Sequence, residues 1–139
     1  MNDTADIKPE QETQYLLIFR GHDWDHGKSP EEARGIMDRV MAWFDGLQRR
    51  GIVRGGRPLA REGKLVSGRS RTVADGPFAE SKEVIGGYLI VAVDTMADAT
   101  AIARECPTLD HGISIEVRPL LWECPVTKRI MEQPALSAA

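Results

Sequence analysis

The sequence lacks long apolar runs, and its two longest cover only residues 16–19 and 88–93. A transmembrane helix needs about 20 consecutive apolar residues, so none is predicted. The N-terminal residues, MNDTADIKPEQET, are acidic and lack the apolar segment of a secretory signal. A protein with neither feature is expected to stay in the cytoplasm, with no membrane as a partner.

The sequence has only two cysteines, and its glycines form none of the familiar nucleotide-binding patterns. Cys106 and Cys124 each precede a proline and belong to no metal or redox motif, so both are predicted to be reduced thiols. There is no P-loop, dinucleotide fingerprint, serine nucleophile elbow or Cys/His zinc cluster in the sequence. Nucleotide, hydride and zinc chemistry are therefore not expected, and no cofactor is predicted.

Acidic residues outnumber basic ones overall, but residues 49–71 hold eight Arg or Lys against one Glu. The formal charge of this segment is +7, and that of the rest of the chain is −10, since the whole chain has −3. A basic segment can bind nucleic acid or an acidic partner. This one lacks the interleaved aromatic residues that stack on bases. A solvated hairpin is the favoured interpretation, and nucleic acid is not expected as a partner.

The 139 residues suit a single domain that begins with a strand and a helix. Residues 14–20, QYLLIFR, read as a central strand that is covered on both faces. Ser29 as N-cap, Pro30 at the first helical position and Glu32 as the capping-box partner predict a helix start. Gly51 predicts its end. This helix is expected to cover a sheet.

The second half of the chain predicts a bulged edge strand, a hairpin, a buried strand, a second helix and a final strand. These elements cover residues 52–59, 64–74, 88–93, 95–106 and 113–119. The order requires both helices to share one face of an antiparallel sheet, which is an α+β fold. We expect Phe44 and Ile90 in the layer between helix and sheet.

Residues 75–93, DGPFAESKEVIGGYLIVAV, look like the most constrained part of the chain. Asp75 cannot close the usual Asx-turn, because the residue two positions on is Pro77, which has no N–H. Its carboxylate must reach the N–H of Phe78, find another partner or stay available to a ligand. Gly86 and Gly87 predict a bulge or a close backbone approach where the buried strand begins.

This core resembles the DGPF branch of the YCII-related family over residues 15–119. The resemblance also includes LLI in the first strand, SPEE at the first helix start, CP after the second helix and a closing EVRP. It implies a ferredoxin-like antiparallel sheet with two helices on one face, which dimerises sheet to sheet as a dimeric α+β barrel. It implies no particular activity. The chain then divides into a flexible lead (residues 1–13), the YCII-like domain (14–120) and a C-terminal extension (121–139).

Polar residues of the last strand are the first candidates for chemistry. Because side chains alternate along a strand, Glu116 and Arg118 are expected on the sheet face away from the helices. Two such faces that meet in a homodimer would enclose polar clefts. We predict a catalytic group of Asp75, His22 and His111, and a ligand-binding group of Lys82, Glu83, Gly86, Gly87, Glu116 and Arg118. The alternative is that Glu116 and Arg118 form an interface ion pair and Asp75 only stabilises its turn.

The loop HDWDHG, residues 22–27, contains two imidazoles and two carboxylates. His22 and His26 are four residues apart, a metal-binding spacing on a helix, but the flanking glycines indicate a loop. No bound metal is predicted. Trp24 reads as a lid or packing residue, and a solvated loop histidine is the alternative for His111.

Two functions stay open from the sequence. The leading hypothesis is a small anionic or hydroxylated organic ligand in the sheet cleft. For an enzyme, the resemblance to the wider barrel superfamily implies cofactor-free lyase or isomerase chemistry with a His or Asp base. The rival is a non-enzymatic regulatory module, since YCII-type domains occur alongside extracytoplasmic-function sigma factors and the basic segment would suit that role. A scaffold whose polar face is only an interface is a third possibility.

Overall fold

A computed structural model describes residues 12–76 and 84–133 of the chain. The six strands are β1 (Gln14–Arg20), β2 (Val53–Pro58), β3 (Lys64–Ser67), β4 (Thr72–Asp75), β5 (Ile85–Ala92) and β6 (Ser114–Leu120). The helices are α1 (Pro30–Arg49), α2 (Met96–Arg104) and α3 (Pro125–Glu132), with a 3₁₀ helix at Pro107–His111. The predicted strands and the first two helices all occur, whereas the 3₁₀ helix replaces a stretch that was predicted as loop.

The four-stranded sheet has the order β2-β5-β1-β6, and every pair in it is antiparallel. The hydrophobic core takes its strand residues from one face only and combines them with residues of α1 and α2. Its buried members are Tyr15, Leu17, Leu47, Leu89, Val91, Ala99, Ile102 and Ala103. Both helices therefore cover the same face, and the predicted α+β class and ferredoxin-like arrangement are confirmed.

The first helix begins where the sequence predicts, at a reciprocal cap. The backbone N–H of Glu32 donates to Ser29 Oγ at 3.1 Å, and the N–H of Ser29 donates to Glu32 Oε1 at 3.4 Å. The helix ends at Arg49, and Gly51, just beyond the C-cap residue Arg50, has a φ of +72° that favours glycine. Its residues Ile36 and Leu47 are buried.

Strand β2 is an edge strand with a register shift between Val53 and Gly55, as its glycines and proline predict. Strands β3 and β4 pair only with each other and form a separate two-stranded sheet. The hairpin exposes Leu65, Val66 and Val73, each more than half exposed.

One residue of β5 lies on the opposite face of the sheet from the one predicted. Leu89 and Val91 enter the core, so Ile90 lies on the opposite face, and its predicted place between helix and sheet is wrong. Phe44 packs against the core as predicted. We call the sheet face away from α1 and α2 the open face; by strand alternation and register it carries Leu16, Ile18, Arg20, Tyr88, Ile90, Ser114, Glu116 and Arg118.

The segments that flank the domain are in part attached to it. Glu12, at the end of the predicted lead, accepts from Arg54 Nη2 at 2.8 Å and from the indole N–H of Trp122 through its carbonyl at 2.7 Å. Residues 1–11 and 134–139 lie outside the described residues. The predicted C-terminal extension contains α3, which has no buried residue. Among the described helices, none has the length and apolar character needed to cross a membrane.

Candidate functional site

A cavity of about 510 Å³ lies between α1 and one end of the sheet, and we call it the apolar cavity. Five aromatic residues line it: Phe19, Trp24, Trp43, Phe44 and Tyr88. Backbone of β2 and β5 contributes through glycines that include Gly86 and Gly87. The polar residues on its wall include His22, Asp23, Arg57, Arg61, Cys106 and Thr108. The cavity thus combines aromatic surface with a few polar groups, as ligand sites commonly do.

Hydrogen bonds and ring contacts hold the aromatic wall in place. The indole N–H of Trp43 donates to the carbonyl of Ile102 at 3.1 Å, which joins α1 to α2. The ring of Phe19 meets that of Trp43 edge to face, with centroids 6.3 Å apart. A wall whose rings are already fixed loses little side-chain entropy when a ligand binds.

His22, Asp23 and Arg61 form a hydrogen-bonded group at the cavity. His22 Nδ1 lies 2.8 Å from Asp23 Oδ2, and Arg61 Nη1 donates to the same oxygen at 2.9 Å. The hydrogen bond from His22, together with the charge of Arg61, holds the pKa of Asp23 below its usual value. The ionised carboxylate favours the His22 tautomer that carries its proton on Nδ1, which leaves Nε2 as a proton acceptor.

A close backbone approach positions this group. The N–H of Gly21 donates to the carbonyl of Val84 at 2.8 Å, so the loop that carries His22 lies against the start of β5. A Cβ at Gly86 would lie 2.7 Å from the carbonyl oxygen of Gly21. A residue with a Cβ would not fit at Gly86, where the sequence predicts a close backbone approach. The absence of a side chain at Gly86 allows the His22 loop to pack against the start of β5.

A second cavity of about 720 Å³ shares residues 21–24 with the first, and we call it the polar cleft. His111 lines this cleft and not the apolar cavity. Its ring lies 6.4 Å from that of Trp24, centroid to centroid. His22 borders both spaces, so the two histidines that were predicted as catalytic share the polar cleft, and only His22 also lines the apolar cavity.

Glu116 and Arg118 lie on the open face, as predicted, and lie outside the linings of both cavities. Arg20 donates to Glu116 Oε1 through Nε at 2.9 Å and Nη2 at 2.7 Å, and Arg118 Nη1 donates to Oε2 at 3.1 Å. The hydrogen bonds from Arg20, then that from Arg118, lower the pKa of Glu116. This carboxylate is saturated by two guanidinium groups, an arrangement that suits an ion-pair network better than a base.

Asp75 ends β4 in the separate hairpin, and its carboxylate pairs with Lys64 on the neighbouring strand. Of the three possibilities that the sequence left open for the Asp75 carboxylate, the structure shows the second, a partner other than the N–H of Phe78. Its side chain is 73% exposed and borders neither cavity. The predicted convergence of Asp75 with Glu116 and Arg118 is therefore not found. Lys82 and Glu83 lie outside the described residues, so their predicted roles stay predictions.

Sequence reasoning missed Arg61 and gave Asp23 no role. Arg61 lies 38 residues from Asp23 and reads as one more cation in the basic segment. Asp23 has a φ of +53°, a left-handed backbone that Asp tolerates better than most residues. The adjacent His-Asp pair was the only available signal, and loop residues of this kind are usually read as solvated.

These features define a ferredoxin-like α+β domain with an aromatic cavity beside a histidine–aspartate pair. The model of the YCII-related domain matches residues 13–123, so the chain belongs to the YCII-related family. Among curated proteins, no match is found. Among solved structures, the fold is similar to 5-chloro-2-hydroxyhydroquinone dehydrochlorinase from Burkholderia phenoliruptrix in complex with 2,5-dihydroxybenzoquinone. That likeness has 13% identity and a TM-score of 0.43, and it covers 76% of this chain and 90% of the other.

Proposed function

We propose that this YCII-related protein binds a small aromatic molecule with an acidic or hydroxyl group in the apolar cavity. The observation that carries the proposal is five aromatic residues around a space of about 510 Å³ with the His22–Asp23–Arg61 group on its wall. Ligand cavities typically measure about 300–1,000 Å³ and combine apolar walls with a few polar groups. A planar apolar ring fits such walls, and the polar group at its end meets Arg61 or His22.

The proposed chemistry is cofactor-free proton transfer. Nε2 of His22 takes a proton from the bound molecule, and the carboxylate of Asp23 stabilises the resulting imidazolium. Arg61 orients an anionic group of the ligand, because its guanidinium is about half exposed and bonds Asp23 through Nη1. This arrangement suits a lyase or isomerase step. We keep the predicted catalytic role for His22 alone and place the ligand on the helix side of the sheet rather than in the open-face cleft.

The first test measures unfolding temperature against a panel of phenols and aromatic carboxylates. Ligands that bind the folded state should raise the midpoint by several degrees when present at about 100 times their dissociation constant. For an aromatic carboxylate, Arg61→Ala should weaken binding about tenfold, since a charge-assisted hydrogen bond is lost. Arg69→Ala in the hairpin removes the same charge away from the cavity and should leave affinity unchanged. A panel without any shift, or equal losses in the two variants, would refute the cavity as a ligand site.

A second measurement separates chemistry from binding. For a ligand that binds, uptake of deuterium from D₂O into its acidic C–H should slow about 10²–10⁴-fold in His22→Gln, which is the usual contribution of a general base. The thermal shift should persist in this variant. Unchanged exchange with retained binding would leave a binding protein without the proposed proton transfer.

We propose in addition that two chains pair through their open faces as a homodimer, the dimeric α+β barrel. The support is the row of apolar side chains that includes Leu16, Ile18 and Ile90, next to the Arg20–Glu116 pair. Within residues 12–76 and 84–133, the buried core takes its strand residues from the other face of the sheet. A second copy would cover this apolar row and match its charges by symmetry.

Light scattering at micromolar concentration should therefore report twice the chain mass of 15.4 kDa. Ile18→Arg places a charge in the middle of the open face and should give a folded monomer, because the symmetry-related charge repels it. Leu65→Arg in the exposed hairpin is the control and should stay dimeric. A wild-type monomer, or an Ile18→Arg dimer, would contradict the barrel.

A regulatory function stays the second candidate, and the hairpin is the observation that favours it. Strands β3 and β4 expose Leu65 and Val66 within the basic segment and Val73 just after it, a surface suited to an acidic, partly apolar protein partner. Changes at Val66 should affect that function and leave ligand binding in the apolar cavity unaltered. We also place the chain in the DGPF branch of its family, on the strength of residues 75–78.

A further inference from the structure

The polar cleft gathers every histidine of the chain. His22, His26 and His111 are its three imidazoles, and all of them line this one space. They come from two segments, the loop after β1 and the 3₁₀ helix at Pro107–His111. Lys28 adds an ammonium group from the end of the same loop. Nitrogen donors thus approach one space from two sides.

Three of the seven titratable side chains that line the cleft, Arg20, His22 and Asp23, already have partners. Arg20 donates to Glu116, and the carboxylate of Asp23 binds His22 and Arg61. Within residues 12–76 and 84–133, the side chains of His26, Lys28 and His111 make no hydrogen bond or ion pair.

Among the side chains of the cleft without a partner, nitrogen donors outnumber carboxylates. Asp110 is the single acidic residue of the lining without a side-chain partner in the described part of the chain. Three nitrogen donors therefore face one acceptor. An oxygen-rich ligand with negative charge would satisfy them, because charge-assisted hydrogen bonds to imidazole and ammonium are stronger than neutral ones.

A metal ion is a poor alternative occupant. Among the described residues, no three His, Cys, Asp or Glu side chains are grouped so that they could hold one. The lysine at the cleft would also repel a cation, whereas it attracts an anion.

We propose that the polar cleft is a second binding site, for a small dianion of the phosphate or dicarboxylate class, held by His26, Lys28 and His111. The site lies across residues 21–24 from the apolar cavity and does not depend on what that cavity binds. The apolar cavity is walled by aromatic rings, whereas the cleft presents charged and imidazole groups to solvent. The two sites therefore differ in the apolar surface that they offer to a ligand.

Proton NMR spectra of the carbon-bound imidazole protons test this proposal directly, since the chain has only three histidines and therefore few such signals. Inorganic phosphate and malonate are titrated separately at fixed pH and fixed ionic strength, with chloride as the balancing and comparison anion. The His26 and His111 signals, assigned with His26→Gln and His111→Gln, should move along a saturating curve for phosphate or malonate. The dianion that saturates at the lower concentration identifies the ligand class.

Matched lysine variants complete the experiment. Lys28→Ala should raise the dissociation constant about tenfold, because an ionic hydrogen bond is lost. Lys128→Ala removes the same charge from α3 and should match the wild type. Shifts that chloride reproduces, shifts that do not saturate, or equal effects of the two variants would each overturn the site. Loss of the thermal shift by aromatic ligands would instead count against the apolar cavity alone.

Discussion

Replacing Leu17 by alanine is expected to lower the free energy of unfolding by about 2–5 kcal/mol. Leu17 is fully buried, and its side chain lies at the centre of the core between β1 and the two covering helices. The lost methyl groups remove apolar contacts and leave a cavity that close-packed neighbours fill only in part. Urea unfolding should show a lower midpoint with an unchanged slope.

The control is the same substitution at an exposed leucine. Leu65 in the hairpin is 54% exposed, so Leu65→Ala should change the free energy of unfolding by no more than about 0.5 kcal/mol. Similar midpoints for the two variants would show that β1 presents the other set of side chains to the helices.

Replacing Gly86 by alanine is expected to destabilise the fold by about 1–3 kcal/mol and to disturb the candidate site. The new Cβ would lie 2.7 Å from the carbonyl oxygen of Gly21, and that atom is backbone rather than a flexible side chain. Relief requires the segment of Gly21 to move, and His22 moves with it. Both the urea midpoint and the affinity of any aromatic ligand should fall.

Gly46→Ala is the same chemical change as Gly86→Ala, but it is expected to stabilise the protein. Gly46 lies within α1, and a Cβ there would meet nothing within 4 Å. The substitution should stabilise the protein by about 0.5–1 kcal/mol, because alanine loses less conformational freedom in a helix. If Gly86→Ala behaves like Gly46→Ala, then the two backbone segments do not touch and the His22 loop is seated by other contacts.

Much of the fold was predictable because its signals are local. Ser29, Pro30 and Glu32 specify the start of α1 through bonds that span three residues, and the structure reproduces that reciprocal cap. The bulge and edge position of β2 follow from its glycines and Pro58 in the same way. The polar alternation of β6 placed Glu116 and Arg118 on the open face correctly.

Local pattern was uninformative where every residue is apolar. Residues 88–93 contain no alternation, so nothing in the sequence indicates whether Leu89 or Ile90 faces the helices. A shift of one residue exchanges the two faces of a strand. The pairing of β5 with β1 on one side and with β2 on the other determines that Leu89, and not Ile90, faces the helices.

The candidate site was decided almost wholly by tertiary structure. Sequence determined that His22 and Asp23 are adjacent and that Gly86 permits a close backbone approach. The approach of Gly21 to Val84 and the bond from Arg61 to Asp23 join segments that are 63 and 38 residues apart. Contacts over such separations leave no periodic or capping signal in the chain, because their geometry exists only after the sheet has assembled. For the same reason Asp75, prominent in sequence, proved to be paired with Lys64 in a hairpin outside the site.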